Sequence, residues 1–161
     1  VVNLIKALAV VLERMKELGI RLPEAPAKGG VYAPAKEFGK GLIYISGCGP
    51  AIGGKTLQGK LGAEVTVEQG QKCAKDAMLN VLAVLQNKIG DLNKVKSVVK
   101  ILVFVAGTNE FYQHPLVANG GSQLLVDLFG EEIGAPTRSA IGVNALPGNI
   151  PVEIEAIFEM A

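Results

Sequence analysis

A chain of 161 residues, 49% hydrophobic and 19% charged, has the length of one domain and enough apolar side chains for a core, which excludes a disordered segment. The 16 Lys and Arg residues against 15 Asp and Glu leave a formal net charge of +1, so no broad basic field is available to bind many phosphates. Because aromatic residues make up 5% and Trp is absent, the composition also argues against nucleic acid as the main partner.

The two cysteines, Cys48 and Cys73, supply neither a disulfide framework nor a zinc cluster, and we interpret them as reduced thiols of a cytoplasmic protein. The apolar runs fall short of the roughly 18 residues that a membrane helix needs. The charged N-terminal segment has no cleavage site typical of a signal peptide. The sequence therefore predicts no membrane association.

The first half of the chain predicts one helix, an extended linker, two strands and a long loop. Apolar residues at helical spacing predict the helix over residues 3–18, and Gly19 ends it. Pro23 and Pro26 favour an extended linker, so we predict a single domain in which residues 1–27 are an appendage to a core of residues 28–161. Short strands are predicted over residues 31–38 and 41–47, followed by a Gly-rich loop over residues 48–63.

The second half predicts two helices and three strands. The clearest helix spans residues 67–89, where Thr66 and Gln69 have capping-box spacing and Gly90 gives the stop. A strand over residues 97–105, a helix over 116–129 and strands over 137–144 and 151–158 follow. This order predicts an α+β fold with two long helices on one face of a mixed sheet and an extra N-terminal helix. The other face is also apolar, so we expect it to be buried against another copy of the chain.

Three motifs in this sequence could carry chemistry, and a plain structural interpretation competes with each. Residues 49–56 fit the P-loop pattern, but no helix start follows Lys55, so a Gly-rich loop is favoured over a nucleotide site. His114, the single histidine, has no nucleophile near it in sequence and is interpreted as a solvated loop residue. Cys48 follows a strand with no neighbouring cation, so we interpret it as an unreactive thiol.

The last two predicted strands carry Arg138 and Glu153. If these strands form a hairpin that pairs Ala145 with Ile150, the two side chains share a sheet face about 13 Å apart. That gap is too wide for an ion pair and wide enough for a small anion. A surface salt bridge for Arg138 and a solvated position for Glu153 are the alternatives at this point.

Several short motifs occur in the order found in one known family. They are Gly30-Val31-Tyr32, Ile45-Ser46-Gly47 with Pro50, the strand from Lys100 to Val105, Asn119, the stretch from Pro136 to Ser139, and Leu146-Pro147 with Glu153-Ile154-Glu155-Ala156. Over roughly residues 28–160 the sequence resembles the Rid/YjgF family of reactive-intermediate imine deaminases, whose members also carry the labels endoribonuclease and liver perchloric-acid-soluble protein. The Arg and Glu at the C-terminal end are the most specific part of this resemblance.

The resemblance implies a chorismate-mutase-like fold, a homotrimer with three clefts between subunits, and hydrolysis of 2-imino or enamine acids of the 2-aminoacrylate type to 2-keto acids and ammonia. Arg138 would bind the substrate carboxylate and Glu153 would position and activate a water. The residues implied to line the cleft are Tyr32, Ser46, Gly47, Asn119 and Ala140. An imine carbon is already electrophilic, so this hydrolysis needs an oriented water and proton transfer, and we expect neither a metal nor a cofactor.

The sequence departs from the family pattern at one of these positions and at the residue that follows Gly47. Cys48 stands where a Gln is common, and Ala140 stands where deaminases of the family have a Cys. Two alternatives to the deaminase therefore stay open: a trimer that binds small carboxylates without catalysis, and an endoribonuclease as in the family label. The near-neutral charge argues against the second alternative.

Overall fold

A computed structural model describes residues 10–161, where one sheet of five strands carries a layer of helices. The helices are α1 (Val10–Glu17), α2 (Val67–Ile89), α3 (His114–Phe129) and the short α4 (Glu131–Gly134). The strands are β1 (Ala35–Phe38), β2 (Leu42–Cys48), β3 (Val95–Ala106), β4 (Thr137–Val143) and β5 (Val152–Met160). The predicted α+β fold with a mixed sheet is therefore confirmed.

The sheet has the strand order β1-β2-β5-β3-β4, in which β3 and β4 run parallel and the other neighbours run antiparallel. The predicted hairpin of the last two strands is wrong because β3 lies between them. Ile101 of β3 pairs with Arg138 on one side and with Ala156 on the other. The connection from β4 to β5 instead crosses the end of β3, where the backbone N–H of Ala106 donates to the Pro151 carbonyl oxygen at 2.9 Å.

The two long helices pack side by side on one face of the sheet. Helix α2 begins and ends as predicted, because the Thr66 hydroxyl accepts from the Gln69 N–H and the Gln69 side chain accepts from the Thr66 N–H. Helix α3 approaches α2 closely at Gly120, where a Cβ atom would collide with the Gln71 carbonyl oxygen. Between these helices and the sheet lies the core, whose buried strand residues include Ile45, Ile101, Val103, Ile154 and Phe158.

Helix α1 is added to the outside of this layer, as the sequence predicts. Val11 and Met15 are buried, and the Val11 N–H donates to Asn93 Oδ1 at 3.1 Å. The guanidinium of Arg14 also donates to the Asp127 carbonyl oxygen on α3 at 3.4 Å. The start of the predicted helix, residues 3–9, lies outside the described residues.

The face of the sheet opposite the helices carries exposed apolar side chains. Tyr44 on β2 is 39% exposed and Ile141 on β4 is 42% exposed. Leu102, Phe104 and Ile157 on the central strands are half-buried on the same face. We call this surface the open face. No helix in residues 10–161 is both long and apolar enough to cross a membrane.

Candidate functional site

Arg138 lies on the helix side of the sheet, at the start of β4. It pairs with Ile101, which is fully buried beneath the helices, and paired residues share a face. Its Nη1 atom donates to Asn119 Oδ1 at 2.7 Å and to Ser122 Oγ at 3.1 Å. Asn119 and Ser122 are three residues apart on α3, so both project towards the same strand. Two neutral oxygen atoms therefore hold the guanidinium in place.

The Arg138 guanidinium faces an open depression of about 560 Å³. The lining consists of Asn119, Ser122, Gln123, Val126, Glu131, Ala135, Pro136 and Arg138. Within residues 10–161 the ion pairs are Lys72 with Asp76 and Lys96 with Glu159, so Arg138 forms no ion pair there. Its Nε and Nη2 donors are free of protein acceptors within the same range, which suits the binding of an anion.

Glu153 lies on the open face, since it pairs with Phe104 and not with one of the β3 residues that are buried beneath the helices. Strand β2 bulges between Ile45 and Cys48, where three steps along β2 match two along β5. The bulge places Gly47 directly beneath the Glu153 side chain, and a Cβ atom at position 47 would collide with Glu153 Oε1. Only glycine leaves room for the carboxyl here.

A groove of about 450 Å³ runs past Glu153 along the end of β2. Its lining consists of Gly29, Tyr32, Ser46, Gly47, Gly49, Pro147, Ile150 and Glu153. The linker forms one wall because Ser46 Oγ donates to the Ala33 carbonyl oxygen at 2.6 Å and the Ser46 N–H donates to the Pro34 carbonyl oxygen at 2.9 Å. The Tyr32 hydroxyl accepts from the Gly29 N–H at 3.0 Å and so closes a small loop in that wall.

The protonation of the side chains near this groove is shifted by burial and by neighbouring carboxylates. Burial, with a smaller contribution from the Glu155 charge, raises the pKa of Glu153. Burial, followed by the charge of Glu153, raises the pKa of the Cys48 thiol to about 12. Cys48 therefore stays protonated near neutral pH, as its interpretation as an unreactive thiol predicts.

The structure brings the predicted site residues together in two groups. Tyr32, Ser46, Gly47 and Glu153 share the groove, and Arg138 and Asn119 share the depression. Ala140 lies two residues along β4 on the Arg138 side, half-buried against the core. The prediction that Arg138 and Glu153 share a face is wrong. Their β3 partners, Ile101 and Phe104, are three residues apart and so point to opposite sides of the sheet.

The sequence patterns do not identify two side chains that lie in or beside these groups. Ser122 follows Asn119 by three residues in a predicted helix, and that spacing could have identified it as a second acceptor for Arg138. Tyr44, whose hydroxyl donates to Glu155 Oε1 at 2.7 Å, is the other. It could be found only from the pairing of β2 with β5, because it lies 111 residues from Glu155 in sequence.

The other motifs do not form sites in the described residues. Gly53 and Gly54 make a tight turn in which Ile52 and Lys55 exchange backbone hydrogen bonds, and α2 begins only at Val67, so residues 49–56 are not a P-loop. His114 is not a solvated loop residue but the half-buried first residue of α3, with its ring edge-on to Phe111 at 5.3 Å. Residues 10–161 contain no cluster of three metal-ligating side chains.

Comparison with known proteins agrees with this architecture. The family model described as "YjgF/chorismate_mutase-like, putative endoribonuclease" matches residues 13–152. Protein TCP17 from Trypanosoma cruzi is 40% identical over 152 residues, which cover 93% of this chain and 94% of that protein. A crystal structure of a protein of unknown function from Agrobacterium tumefaciens superposes with a TM-score of 0.87 at 38% identity, over 97% of this chain and 96% of that one.

The crystal structure of RidA from an Antarctic Psychrobacter superposes with a TM-score of 0.60 at 28% identity. The match covers 85% of this chain and 94% of that chain. The resemblance found in the sequence motifs and the fold that it implied are both confirmed. With a family model that spans most of its length and a relative at 40% identity, the chain belongs to the YjgF/RidA family.

Proposed function

We propose that this protein is a hydrolytic deaminase that converts 2-imino and enamine acids of the 2-aminoacrylate type to 2-keto acids and ammonia. The observation that carries the proposal is the Arg138 guanidinium, which is fixed by Asn119 and Ser122 and lacks a carboxylate partner in residues 10–161. A guanidinium offers two parallel donors to a carboxylate, which every substrate of this class carries.

Glu153 is the group that we assign to the proton transfers. As water attacks the imine carbon, the carboxylate takes one proton from the water and passes it to the imine nitrogen, which gives a neutral carbinolamine. Glu153 then takes the proton of the carbinolamine hydroxyl and delivers it to the amino nitrogen, so the carbon–nitrogen bond breaks as the carbonyl forms, and ammonia leaves the 2-keto acid. A carboxyl whose pKa is raised by burial is better matched to these two steps near neutral pH than an ordinary glutamate.

Arg138 and Glu153 of one chain lie on opposite faces of its sheet, so they cannot act on one small molecule together. We therefore propose that the site is completed by a second copy, with Arg138 of one chain and Glu153 of its neighbour in a shared cleft of a homotrimer. The exposed apolar side chains of the open face support such an assembly. A cytoplasmic location is part of the proposal and is supported by the two free thiols.

The test is ammonia release from 2-aminoacrylate that a pyridoxal-dependent dehydratase generates in the same solution. The wild-type protein should accelerate release above the spontaneous rate. The Arg138→Ala variant should lose about 100-fold or more of kcat/KM, since a substrate carboxylate would lose its charged partner. Arg21→Ala, which removes an exposed arginine from the linker, is the matched control and should keep the wild-type rate.

Equal rates for the wild type and Arg138→Ala would contradict the proposal. Binding of a 2-keto acid that depends on Arg138, with no acceleration of ammonia release, would instead support the alternative of a small-carboxylate-binding protein. RNA cleavage that survives purification to homogeneity would favour the endoribonuclease named in the family description.

A further inference from the structure

Tyr44 and Glu155 form a hydrogen-bonded pair on the open face beside Glu153. Tyr44 lies on β2 opposite Ile157, and its hydroxyl crosses to the neighbouring strand to donate to Glu155 Oε1 at 2.7 Å. Glu155 follows Glu153 by two residues on β5, so the two carboxyl groups project from the same face about 6.6 Å apart along the strand. The pair is outside the groove that contains Glu153.

We propose that Glu155 is a positioning residue for the deaminase reaction, in which Tyr44 fixes the Glu155 carboxylate beside Glu153 and Glu155 thereby sets the pH at which Glu153 gains and loses its proton. This inference rests on the proposed function for its catalytic meaning. Its physical basis is the repulsion between two like charges held at short range, which favours the protonated form of the more buried group.

The groups around Glu153 come from five segments. They are Tyr32 on the linker, Cys48 and Gly47 on β2, Phe104 on β3, Pro147 and Ile150 in the turn before β5, and Glu155 on β5 itself. Lys28 lines the adjacent cavity, which shares Tyr32 and Gly47 with this groove. The Cys48 thiol is neutral near pH 7 because its pKa is about 12. Glu155 is therefore the carboxylate of the same chain that acts on Glu153 in this set, and the neighbour's Arg138 of the proposed cleft is the same in every variant tested below.

The expected direction of the change in the Glu153 pKa follows from the physical causes that raise it. Burial and then the charge of Glu155 raise the pKa of Glu153, so removing that charge should lower it towards the ordinary value. Loss of the Tyr44 hydroxyl should act in the same direction and more weakly, because a Glu155 carboxylate without this donor is free to turn towards water and away from Glu153. The hydrogen bond to Glu155, followed by burial, likewise raises the pKa of Tyr44, which keeps its hydroxyl a donor.

The experiment is a titration of the Glu153 carboxyl carbon by NMR in protein labelled with ¹³C-glutamate, with the signal assigned by its loss in Glu153→Gln. Glu155→Gln should lower the titration midpoint by roughly 0.5 to 1 pH unit, and Tyr44→Phe should lower it by less. Glu159→Gln is the matched control, since it removes a carboxylate from the same strand and face at the far end, where Glu159 pairs with Lys96.

A Glu153 midpoint that is equal in the wild type and Glu155→Gln, or that moves as far in Glu159→Gln, would overturn the inference. The acid limb of the kcat/KM profile for ammonia release should move to lower pH together with the midpoint. If neither the wild type nor any variant hydrolyses the imine, the proposed function is wrong. The NMR titration still decides in that case whether Glu155 shifts the pKa of Glu153. If Tyr44→Phe does not fold, Glu155→Gln alone gives the answer.

Discussion

At Gly47 the β2 bulge lets the backbone pass directly beneath the Glu153 carboxyl. Gly47→Ala should therefore push Glu153 out of its position and lower kcat/KM for ammonia release by at least about tenfold, because small misplacements of a reacting group are costly. The thermal midpoint should fall only slightly, since the displaced carboxyl can turn into the open groove. The measurement pairs the kinetic assay with a thermal melt.

Gly30→Ala serves as the control for this substitution. A Cβ atom at Gly30 meets only the Tyr32 ring, at an ordinary contact distance of 3.8 Å. This variant should retain the wild-type rate and stability. A Gly47→Ala enzyme as active as the wild type would show that the Glu153 carboxyl is not required where the structure has it.

The sequence identifies single residues of the candidate site more readily than it identifies their surroundings. The motifs around Arg138 and Glu153 single out both side chains, and the structure places each beside a cavity. Alternation along a strand also predicts that Glu153 and Glu155 share a face. The acceptors of Arg138 and the donor to Glu155 depend on contacts between elements that are 16 to 111 residues apart, which no local pattern specifies.

Among the elements, α2 holds the loop after β2 through a buried side chain. Asn80 is 2% exposed, and its Nδ2 atom donates to the carbonyl oxygens of Gly49 at 2.9 Å and Ala51 at 2.8 Å. Asn80→Ala should lower the free energy of unfolding by about 2 kcal/mol, because two carbonyl groups lose their buried donor. Urea denaturation measures this difference.

Asn87→Ala is the matched control on the same helix, where the side chain is exposed, and it should change the unfolding free energy by less than about 0.5 kcal/mol. Equal losses in the two variants would show that the contact with the loop does not account for the effect, because helix propensity alone would make an alanine variant more stable. The loop forms one wall of the Glu153 groove at Gly49, so Asn80→Ala should also reduce activity.

The predictability of an element depends on whether its signals are local. Helix α2 has the predicted bounds because its signals are local: the capping box begins at Thr66, directly before the helix, and Gly90 directly follows it. The predicted pairing of β4 with β5 is wrong. It assumes that a short connection joins neighbouring strands, as it usually does. Here that connection crosses the end of β3, because β3 pairs with both β4 and β5 and so lies between them. The spacing of residues along the sequence does not specify this strand order.

For the whole molecule, the open face is the surface that the proposed trimer would bury. Ile141→Lys places a charge on this face where the side chain is 42% exposed, so the single chain should remain folded. Light scattering should give the wild type a molar mass three times that of one chain, and the variant the mass of a single chain. The variant should also lose ammonia release although Arg138 and Glu153 are intact, because the two would no longer meet.

Leu12→Lys is the control for this variant, since Leu12 is 51% exposed on α1, at the outside of the helix layer. It should leave both the mass and the activity unchanged. An Ile141→Lys protein that is monomeric and fully active would contradict a site shared between chains.

Strand β5, the last strand in residues 10–161, lies between β2 and β3 in the sheet. On the ribosome, the β1–β2 pair and the β3–α3–β4 unit are therefore two halves of the sheet that lack the strand joining them until β5 has left the exit tunnel. Both halves expose unpaired strand edges during that interval, and such edges recruit other nascent chains. The sheet thus becomes continuous only after β5 is made, and a premature stop anywhere before β5 should yield an insoluble product rather than a smaller folded one.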